Sequence, residues 1–359
     1  MQKIIFTFLF FYVSLAPAQD SKNLLSYIAP SDDYIQYTGR INFDNPNAPI
    51  FYWPGTYIKA KFQGTSLTIK LDDETGDNYY NVIIDDQVQA PVIIDCERGA
   101  QDYVVAENLD DGEHTIWLFR RTEGFSGPTT FLGFVLDVDK KLVAMPPKSH
   151  RKIEFYGDSI TCGMGNEAAD DAEDENNAQR NNFLAYGAIT ARNLDAEYHC
   201  IAKSGIGIMI SWFDLTMPEY YDRLNPHDMT SRWDFSRWTP DVVVINLFQI
   251  DSWLIDRLDP VPDEKDIIAA YMDFLGQIRS HYAESHIFCT LGSMDATRDG
   301  SPWPRYIQSA ADQFSQQNND AKIYTYFFEY LGFDKHPRVR HHQKNAAELT
   351  AFIKEKVGW

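Results

Sequence analysis

The stretch Ile-Glu-Phe-Tyr-Gly-Asp-Ser-Ile-Thr at residues 153–161 decides the fold of the second half of the chain. It begins as a short apolar run of strand type and ends in Gly157-Asp158-Ser159, where the strand gives way to a turn. Similar apolar runs follow at 198–202, 242–247, 287–291 and 323–326, and amphipathic stretches lie near 183–193, 264–282, 304–317 and 343–357. Short apolar strands that alternate with helices predict a parallel sheet covered by helices, which is an α/β layered fold.

Ser159 stands at the edge of the sheet where such folds bind ligands, because ligands lie at the carboxyl ends of parallel strands. A serine there can be presented as a nucleophile, although a serine in a plain turn is the alternative. His336, in the loop after the last strand, belongs to the same edge and can act as general base, while Asp334 can orient its imidazole. The neighbouring His341 and His342 suit helix capping or solvent. These histidines have no carboxylate spaced to complete a metal site, so no metal is expected.

Residues before 143 follow a different period. Leu67, Ile69 and Leu71 face one way and the residues between them the other, which is the alternation of a half-buried strand. About eight short strands separated by turn signals predict a sandwich or jelly roll. We therefore expect an all-β domain at 24–142, a linker at 143–150 that contains Pro146-Pro147, and an α/β domain at 151–359.

Composition excludes several classes of partner. The chain has 359 residues, 44% of them hydrophobic, which is enough for two domains with sizeable cores. Its formal net charge of −20 disfavours nucleic acid and anionic membranes, because like charges would be brought together. An uncharged sugar meets no such penalty.

The first 18 residues predict a secretory signal peptide. Lys3 precedes an apolar run at 4–15, and Ala16-Pro17-Ala18 is a cleavage site of the A-x-A type. The run is too short for a membrane span, which takes ~20 residues, although an uncleaved anchor is the alternative. Cleavage after Ala18 predicts a periplasmic or secreted protein.

The cysteines and the acidic run 167–177 predict no metal site. The spacing of the four cysteines, Cys96, Cys162, Cys200 and Cys289, fits no zinc site. Two of them, Cys200 and Cys289, lie in strand-like runs, where a thiol is typically part of the core. The sequence does not decide whether Cys162 and Cys200 form a disulfide. The acidic run lacks the spacing of a calcium loop, so we expect a solvated surface loop.

Several short blocks carry a resemblance to a known family. They are Tyr37-Thr38-Gly39-Arg40, Trp53-Pro54-Gly55, Arg121-Thr122-Glu123-Gly124, Gly157-Asp158-Ser159-Ile160-Thr161-Cys162-Gly163, Ser204-Gly205-Ile206-Gly207 and Asp334-Lys335-His336-Pro337. With these blocks the chain resembles the GDSL or SGNH hydrolases, and more closely carbohydrate esterase family two, over nearly all of its mature length. The resemblance implies a small β-sandwich joined to a flavodoxin-like, three-layer SGNH domain.

The resemblance also implies roles for individual residues. Ser159 is then the nucleophile, His336 the base and Asp334 the third member, although some relatives orient the histidine through a backbone carbonyl. The backbone N–H groups of Ser159 and Gly205 would donate to the oxyanion. The slot at Lys335 can hold a sugar-stacking aromatic residue in the family. No cofactor is implied.

The chain departs from the family pattern Gly-x-Asn-Asp at residues 248–251. Phe248 takes the place of the glycine, and Ile250 takes the place of the asparagine whose side chain is a third oxyanion donor. Loss of one such donor costs about 10²–10³ in rate. Gln249 carries an amide and is a possible substitute, but on a regular strand end it points away from the Ile250 direction.

Two tryptophans at the catalytic edge, Trp253 and Trp303, are candidate platforms on which a sugar ring could stack, with packing as the alternative. Trp303, between Pro302 and Pro304, is the preferred candidate.

Together, these observations predict an exported, monomeric serine esterase that removes O-acetyl groups from polysaccharides or oligosaccharides of the xylan or glucomannan type. Two alternatives stay open. One is a weakly active or inactive carbohydrate-binding protein on an esterase scaffold, and the other is an esterase for other acyl groups.

Overall fold

The computed structural model describes residues 25–330, 332 and 335–359, so the predicted signal peptide at 1–18 lies outside the described residues. Between residues 26 and 143 it forms twelve strands rather than about eight. They are β1 Ser26–Ile28, β2 Gln36–Thr38, β3 Ile41–Asn42, β4 Ile50–Phe51, β5 Tyr57–Gly64, β6 Leu67–Asp73, β7 Tyr79–Ile84, β8 Val92–Asp95, β9 Gly99–Ala106, β10 Gly112–Arg120, β11 Thr129–Leu136 and β12 Leu142–Val143. Strands such as β3, β4 and β12 are two residues long, too short for alternation to be visible in sequence.

These strands form two antiparallel sheets. One has the order β3-β4-β11-β6-β9 with β1 paired to β11, and the other has the order β12-β5-β10-β7-β8 with β2 paired to β5. Leu67, Ile69 and Leu71 of the first sheet point into one core, as their alternation predicts, and they share it with Ile58 and Phe62 of the second sheet. The predicted sandwich is confirmed, and its jelly-roll connectivity stays a prediction.

The second half forms a five-stranded parallel sheet, as predicted. Its strands are β13 Arg151–Gly157, β14 Ala196–Ala202, β15 Val242–Asn246, β16 His286–Leu291 and β17 Ile323–Phe327, and their order is β14-β13-β15-β16-β17. The helices are α1 Ser159–Cys162, α2 Tyr186–Asn193, α3 Met217–Tyr220, α4 Gln249–Leu254, α5 Glu264–His281, α6 Trp303–Asn318 and α7 Val339–Val357. This strand order is the flavodoxin-like one.

Helices cover both faces of the parallel sheet. Helices α2 and α7 pack in one core cluster, and α5 and α6 pack in another on the opposite face. The resulting three layers confirm the predicted fold class and leave the carboxyl edge of the sheet to the connecting loops.

The sandwich contributes side chains to the hydrolase half. Tyr57 and Phe119, on the outer face of the second antiparallel sheet, belong to the same core cluster as α2. Arg40 of the sandwich pairs with Glu154 of β13 at 3.0 Å, and both side chains are fully buried. Residues 144–150 carry no helix or strand, so the predicted boundaries at 142 and 151 stay predictions supported by this change of architecture.

The described cysteines are all free and buried, so Cys162 and Cys200 form no bridge. Within residues 25–330, 332 and 335–359, no helix has the length and apolarity needed to cross a membrane. The same residues contain no group of three or more His, Cys, Asp or Glu side chains placed to hold a metal ion.

Candidate active site

Ser159 is held at the carboxyl edge of the sheet by a tight strand-to-helix turn. It is the first residue of α1, and Asp158 caps that helix by accepting a 2.9 Å hydrogen bond from the backbone N–H of Ile160. A Cβ on Gly157 would lie 2.0 Å from the Thr161 hydroxyl, so only glycine fits between the strand and the helix. The turn leaves Ser159 3% exposed, at the floor of the loops that surround the edge.

His336 reaches the serine from the loop before α7. Its Nε2 lies 2.8 Å from the Ser159 Oγ, which is hydrogen-bond distance for a nucleophile and its base. The two other histidines of this segment, His341 and His342, have structural roles. His341 caps α7 by accepting from the Arg338 N–H at 3.0 Å, and His342 is buried and accepts from the Tyr186 N–H at 3.1 Å.

Asp174, in the acidic run, is the carboxylate that contacts His336. Its Oδ2 lies 2.9 Å from His336 Nδ1 and accepts the His336 backbone N–H at 3.0 Å. Arg338 pairs with its other oxygen. Burial works to raise the pKa of Asp174, but the hydrogen bonds from His336 and Arg338 outweigh it and hold the pKa well below its ordinary value. Asp174 therefore stays ionised beside the imidazole.

Sequence reasoning missed Asp174. The prediction that the whole acidic run is a solvated loop is wrong at this residue, which is buried. Asp334, predicted to orient the histidine, lies outside the described residues. One feature of the sequence could have indicated Asp174. The acidic run connects β13 to α2, so it lies at the same carboxyl edge of the sheet as Ser159.

Two basic side chains fasten the acidic run over this edge. Arg338 donates to the carbonyls of Gly165, Ala169 and Ala172, at 2.8, 3.0 and 3.2 Å. Lys335, which stands where the family can carry an aromatic residue, donates to the Ala172 carbonyl at 2.8 Å and pairs with an exposed glutamate of the run. Lys335 thus holds the loop that carries Asp174, rather than offering a stacking surface.

The loop after β14 carries the predicted oxyanion donor, Gly205. Its φ of +84° is a left-handed conformation that favours glycine. The preceding residue, Ser204, is held by Glu123 of the sandwich: one carboxylate oxygen accepts the Ser204 N–H at 2.7 Å, and the other accepts its hydroxyl at 2.6 Å. Arg180 donates to the same carboxylate at 2.7 Å. A buried side chain of the sandwich therefore fixes the loop that carries Gly205.

The altered block at 248–251 begins α4. Phe248 adopts φ +88°, a conformation that suits the glycine of the family pattern, and its ring packs against Tyr271 and Trp303 with centroids 5.1 Å away. The Gln249 amide nitrogen donates to Asp295 at 2.8 Å, and its oxygen accepts the Ala296 N–H at 3.2 Å. Gln249 is therefore engaged away from the serine, and the structure does not support it as a substitute donor.

The remaining residues of the block are Ile250, which replaces the family asparagine, and Asp251. Ile250 is buried, and its side chain has no hydrogen-bond donor. Asp251 accepts the N–H groups of Ile208 at 3.0 Å, Met209 at 2.7 Å and Ile210 at 3.2 Å, which anchors the far end of the Gly205 loop.

The tryptophans differ in exposure. Trp303 is only 7% exposed and packs between Phe248 and Tyr306, so its prediction as a sugar platform is wrong. Trp253 is 39% exposed, and its indole N–H is held by Asp295 at 2.9 Å. Trp212 is 54% exposed, and its backbone N–H donates to the Gly205 carbonyl at 3.0 Å. Sequence reasoning missed Trp212, although it follows the Ser204-Gly205 block by only seven residues.

Burial raises the pKa of Asp158 to about 7, despite the lowering effect of the Ile160 hydrogen bond. Because the folded pKa lies above the unfolded value of about 3.9, the native state binds more protons than the unfolded state between pH 4 and 7. This carboxyl group therefore costs stability progressively as pH rises from 4 to 7. We expect Asp158→Asn to flatten that part of the stability profile, as measured by urea unfolding at a series of pH values. The exposed Asp273→Asn is the control, and an unchanged slope in Asp158→Asn would contradict the expectation.

Comparison with known proteins agrees with this architecture. Residues 37–146 match the family profile described as carbohydrate esterase 2 N-terminal. Cellulase/esterase CelE of Acetivibrio thermocellus is 34% identical over 336 residues, which cover 90% of this chain but only 40% of that protein. An acetylxylan esterase / glucomannan deacetylase of Cellvibrio japonicus is 34% identical over 336 residues, or 89% of this chain and 90% of that protein. The structure of a family two carbohydrate esterase from Clostridium thermocellum in complex with cellohexaose is 34% identical, with a TM-score of 0.82 and coverage of 90% of this chain and 99% of that one.

A flavodoxin-like sheet with a serine after its first strand and a histidine before its last helix defines the class of SGNH hydrolases. Within that class, the chain belongs to carbohydrate esterase family two, a family of carboxylic ester hydrolases. The resemblance noted in the sequence motifs is confirmed.

Proposed function

We propose that the protein is an exported serine esterase that removes O-acetyl groups from polysaccharides or oligosaccharides of the xylan or glucomannan type. The observation that carries the proposal is the hydrogen-bonded chain Ser159–His336–Asp174 at the carboxyl edge of the sheet. The Cellvibrio japonicus relative, an acetylxylan esterase / glucomannan deacetylase, supports the choice of substrate class. A net charge of −20 is compatible with a neutral glycan.

In the proposed mechanism, Ser159 Oγ attacks the acetyl carbonyl carbon while its proton passes to His336 Nε2. Asp174 stabilises the resulting imidazolium at Nδ1, in the role that sequence reasoning gave to Asp334. The oxyanion accepts hydrogen bonds from the backbone N–H groups of Ser159 and Gly205. Collapse of this intermediate releases the sugar hydroxyl, protonated by His336, and leaves acetyl-Ser159. Water, deprotonated by His336, then attacks the acyl-enzyme. When this second intermediate collapses, His336 returns the proton to Ser159 Oγ and acetate is released.

Trp212 and Trp253 are the proposed sugar platforms. Both rings are exposed, and Trp212 is tied through its backbone to the Gly205 loop. An aromatic face stacks on the apolar face of a pyranose and leaves the hydroxyl groups free for hydrogen bonds. A glycan lying across these rings would present its acetyl groups to Ser159.

The experiment that tests the proposed function is acetate release from acetylated xylan and acetylated glucomannan, measured beside aryl acetate and aryl butyrate. We expect release from at least one acetylated glycan and faster turnover of the acetate than the butyrate ester. A preference for longer acyl chains would favour an esterase for other acyl groups. No release from any acetylated glycan would refute the proposed activity.

A second candidate function is glycan binding with little turnover, and Ile250 motivates it. Loss of the third oxyanion donor lowers the rate about 10²–10³-fold. The exposed aromatic rings remain able to bind sugar. Affinity electrophoresis on soluble glycans, compared with turnover of an aryl acetate, separates the two candidates: measurable turnover that depends on Ser159 excludes a pure binding protein.

Ile250→Asn tests how far the missing donor limits the rate. We expect kcat for aryl acetate to rise about 10-fold or more with little change in KM, because the amide would contact the oxyanion only in the transition state. Ile250→Val is the matched control and is expected to leave kcat near that of the parent. An Asn variant that folds normally but is no faster than Ile250→Val would show that the backbone donors suffice.

Glu123 is proposed as a positioning residue, because it touches the Gly205 loop rather than the substrate. Glu123→Gln keeps the side-chain shape but turns one acceptor of the Ser204 or Arg180 hydrogen bonds into a donor. We expect kcat to fall about 10–10²-fold while KM stays within a factor of two. A shift of the Gly205 N–H by about 1 Å from the oxyanion is enough to lower the rate by this factor. Ser204→Ala, which removes only the hydroxyl bond, should lose less. A Glu123→Gln variant that loses thermal stability but keeps kcat would assign this carboxylate a structural role alone.

A further inference from the structure

A cavity lies between the sandwich and the hydrolase half, at the edge of the parallel sheet opposite Ser159. It has a volume of about 210 Å³ and lies between the outer face of β5 and β10, the helix α2 and the start of β14. Its lining includes Tyr57, Lys59, Trp117, Arg192, Asp195 and Tyr198.

Two cations face this cavity. The Lys59 ammonium stands 4.0 Å from the centre of the Trp117 ring, and the Arg192 guanidinium stands 3.7 Å from the centre of the Phe183 ring. Within the part of the chain that the structure describes, neither has a carboxylate at salt-bridge distance. Lys61, two residues along the same face of β5, does have one: it pairs with Glu113 at 2.6 Å. The aromatic rings attract these cations, but such contacts replace only part of the solvation that a charge without an ion partner loses on burial.

Two hydrogen-bond donors of the lining are buried without a partner. They are Arg192 Nη1 and the Trp117 indole N–H, and neither has a hydrogen-bond partner among the described residues. Buried donors in proteins are nearly always paired, so such a group implies a bound water or ion. Both groups donate hydrogen bonds, one of them belongs to a cation, and the Lys59 ammonium also faces the cavity. Such a lining is complementary to an anion.

The acidic groups near the cavity narrow the choice of anion. Asp86, Asp195 and Glu197 act on Lys59 at longer range, and Glu197 is itself paired with Lys148 at 2.9 Å. These carboxylates and the net charge of −20 disfavour a dianion such as phosphate. The aromatic walls of Tyr57 and Trp117 favour a ligand with a flat organic body.

We propose that this cavity binds a small organic carboxylate, with the carboxylate group between Lys59 and Arg192 and the body of the molecule against Tyr57 and Trp117. Two sources share this chemistry: a uronic acid carried by a glycan, and a free aromatic acid. The site is separate from the serine, and its existence does not rest on the proposed esterase activity.

The test is calorimetric titration of the full chain with benzoate and with glucuronate, each compared with its uncharged counterpart, benzyl alcohol or glucose. We expect one carboxylate to bind at least 10-fold more tightly than its counterpart, and the one that binds identifies the source. Lys59→Met and Arg192→Met should each weaken binding at least 10-fold, whereas Lys61→Met and Ser159→Ala should leave it unchanged.

Three outcomes would overturn the proposal. Equal affinity for a carboxylate and its uncharged counterpart would remove the role of the cations. Binding that survives Lys59→Met, or that is lost in Ser159→Ala, would place the ligand elsewhere. No heat with either carboxylate would mean that water satisfies the buried donors. If Arg192→Met fails to fold, Lys59→Met and Trp117→Phe carry the test.

Discussion

Ser159→Ala is expected to lower kcat for acetate release by about 10⁴- to 10⁶-fold, because the proposed reaction then has no nucleophile and no acyl-enzyme can form. The effect should appear in kcat rather than in KM, since the hydroxyl is small and the sugar-binding surfaces remain. The alanine variant should also keep its fold, because the Ser159 side chain contacts His336 but does not cap the helix, a role that belongs to Asp158. Acetate release from acetylated xylan and turnover of an aryl acetate are the two measurements.

Ser285→Ala is the matched control for this substitution. Ser285 is equally buried and also donates a side-chain hydrogen bond, to the Pro240 carbonyl at 2.5 Å, but it lies before β16 at the opposite edge of the sheet. We expect its kcat to stay within a factor of two of the parent, with some loss of thermal stability. Acetate release by Ser159→Ala at the parental rate would rule out the serine mechanism, while glycan binding that persists in the variant would separate binding from chemistry.

The parallel sheet was predictable because its inner strands β13, β15 and β16 are buried along most of their length and therefore read as short apolar runs. The run predicted at 287–291 is the strand His286–Leu291, and the one predicted at 242–247 is Val242–Asn246. The final helix begins at Val339 rather than at 343. Its first turns contain His341 and His342, polar residues that hide the helical period even though His342 is buried.

Trp303 shows how a local signal can be read wrongly. Pro302 and Pro304 suggested a loop with an exposed ring, but proline is also common in the first turn of a helix, and α6 begins at Trp303. Its ring then covers Phe248, whose unusual backbone conformation left no local signature in the sequence.

Other contacts of the site were beyond prediction because they join distant segments. Asp174 lies 162 residues from His336 along the chain, and Glu123, in the sandwich, lies 81 residues from Ser204. A single sequence carries no information on such pairs. The motifs located Ser159 and His336 because each stands at a strand or helix end, whereas the acidic run offered several carboxylates with nothing to choose among them.

Asp174→Asn is expected to lower kcat about 10³- to 10⁴-fold, the loss that follows when the carboxylate behind a catalytic histidine becomes an amide. The amide can donate to His336 Nδ1, which would place the remaining ring proton on Nε2 and leave no acceptor for the Ser159 proton. It also removes the negative charge that stabilises the imidazolium. Rates of aryl acetate hydrolysis and acetate release measure the loss, and the tight bonds from Arg338 predict that KM changes little.

Two variants make this expectation specific. Asp170→Asn removes a charge from the same acidic run, but Asp170 is exposed and pairs with Arg340 at 2.6 Å, so kcat should stay near that of the parent. Asp334→Asn should likewise be nearly neutral, because His336 Nδ1 already has Asp174 as its partner at 2.9 Å. A large loss in Asp334→Asn together with normal activity in Asp174→Asn would reverse the assignment. If both are nearly neutral, His336 needs no carboxylate, and its orientation then comes from the backbone of its own loop.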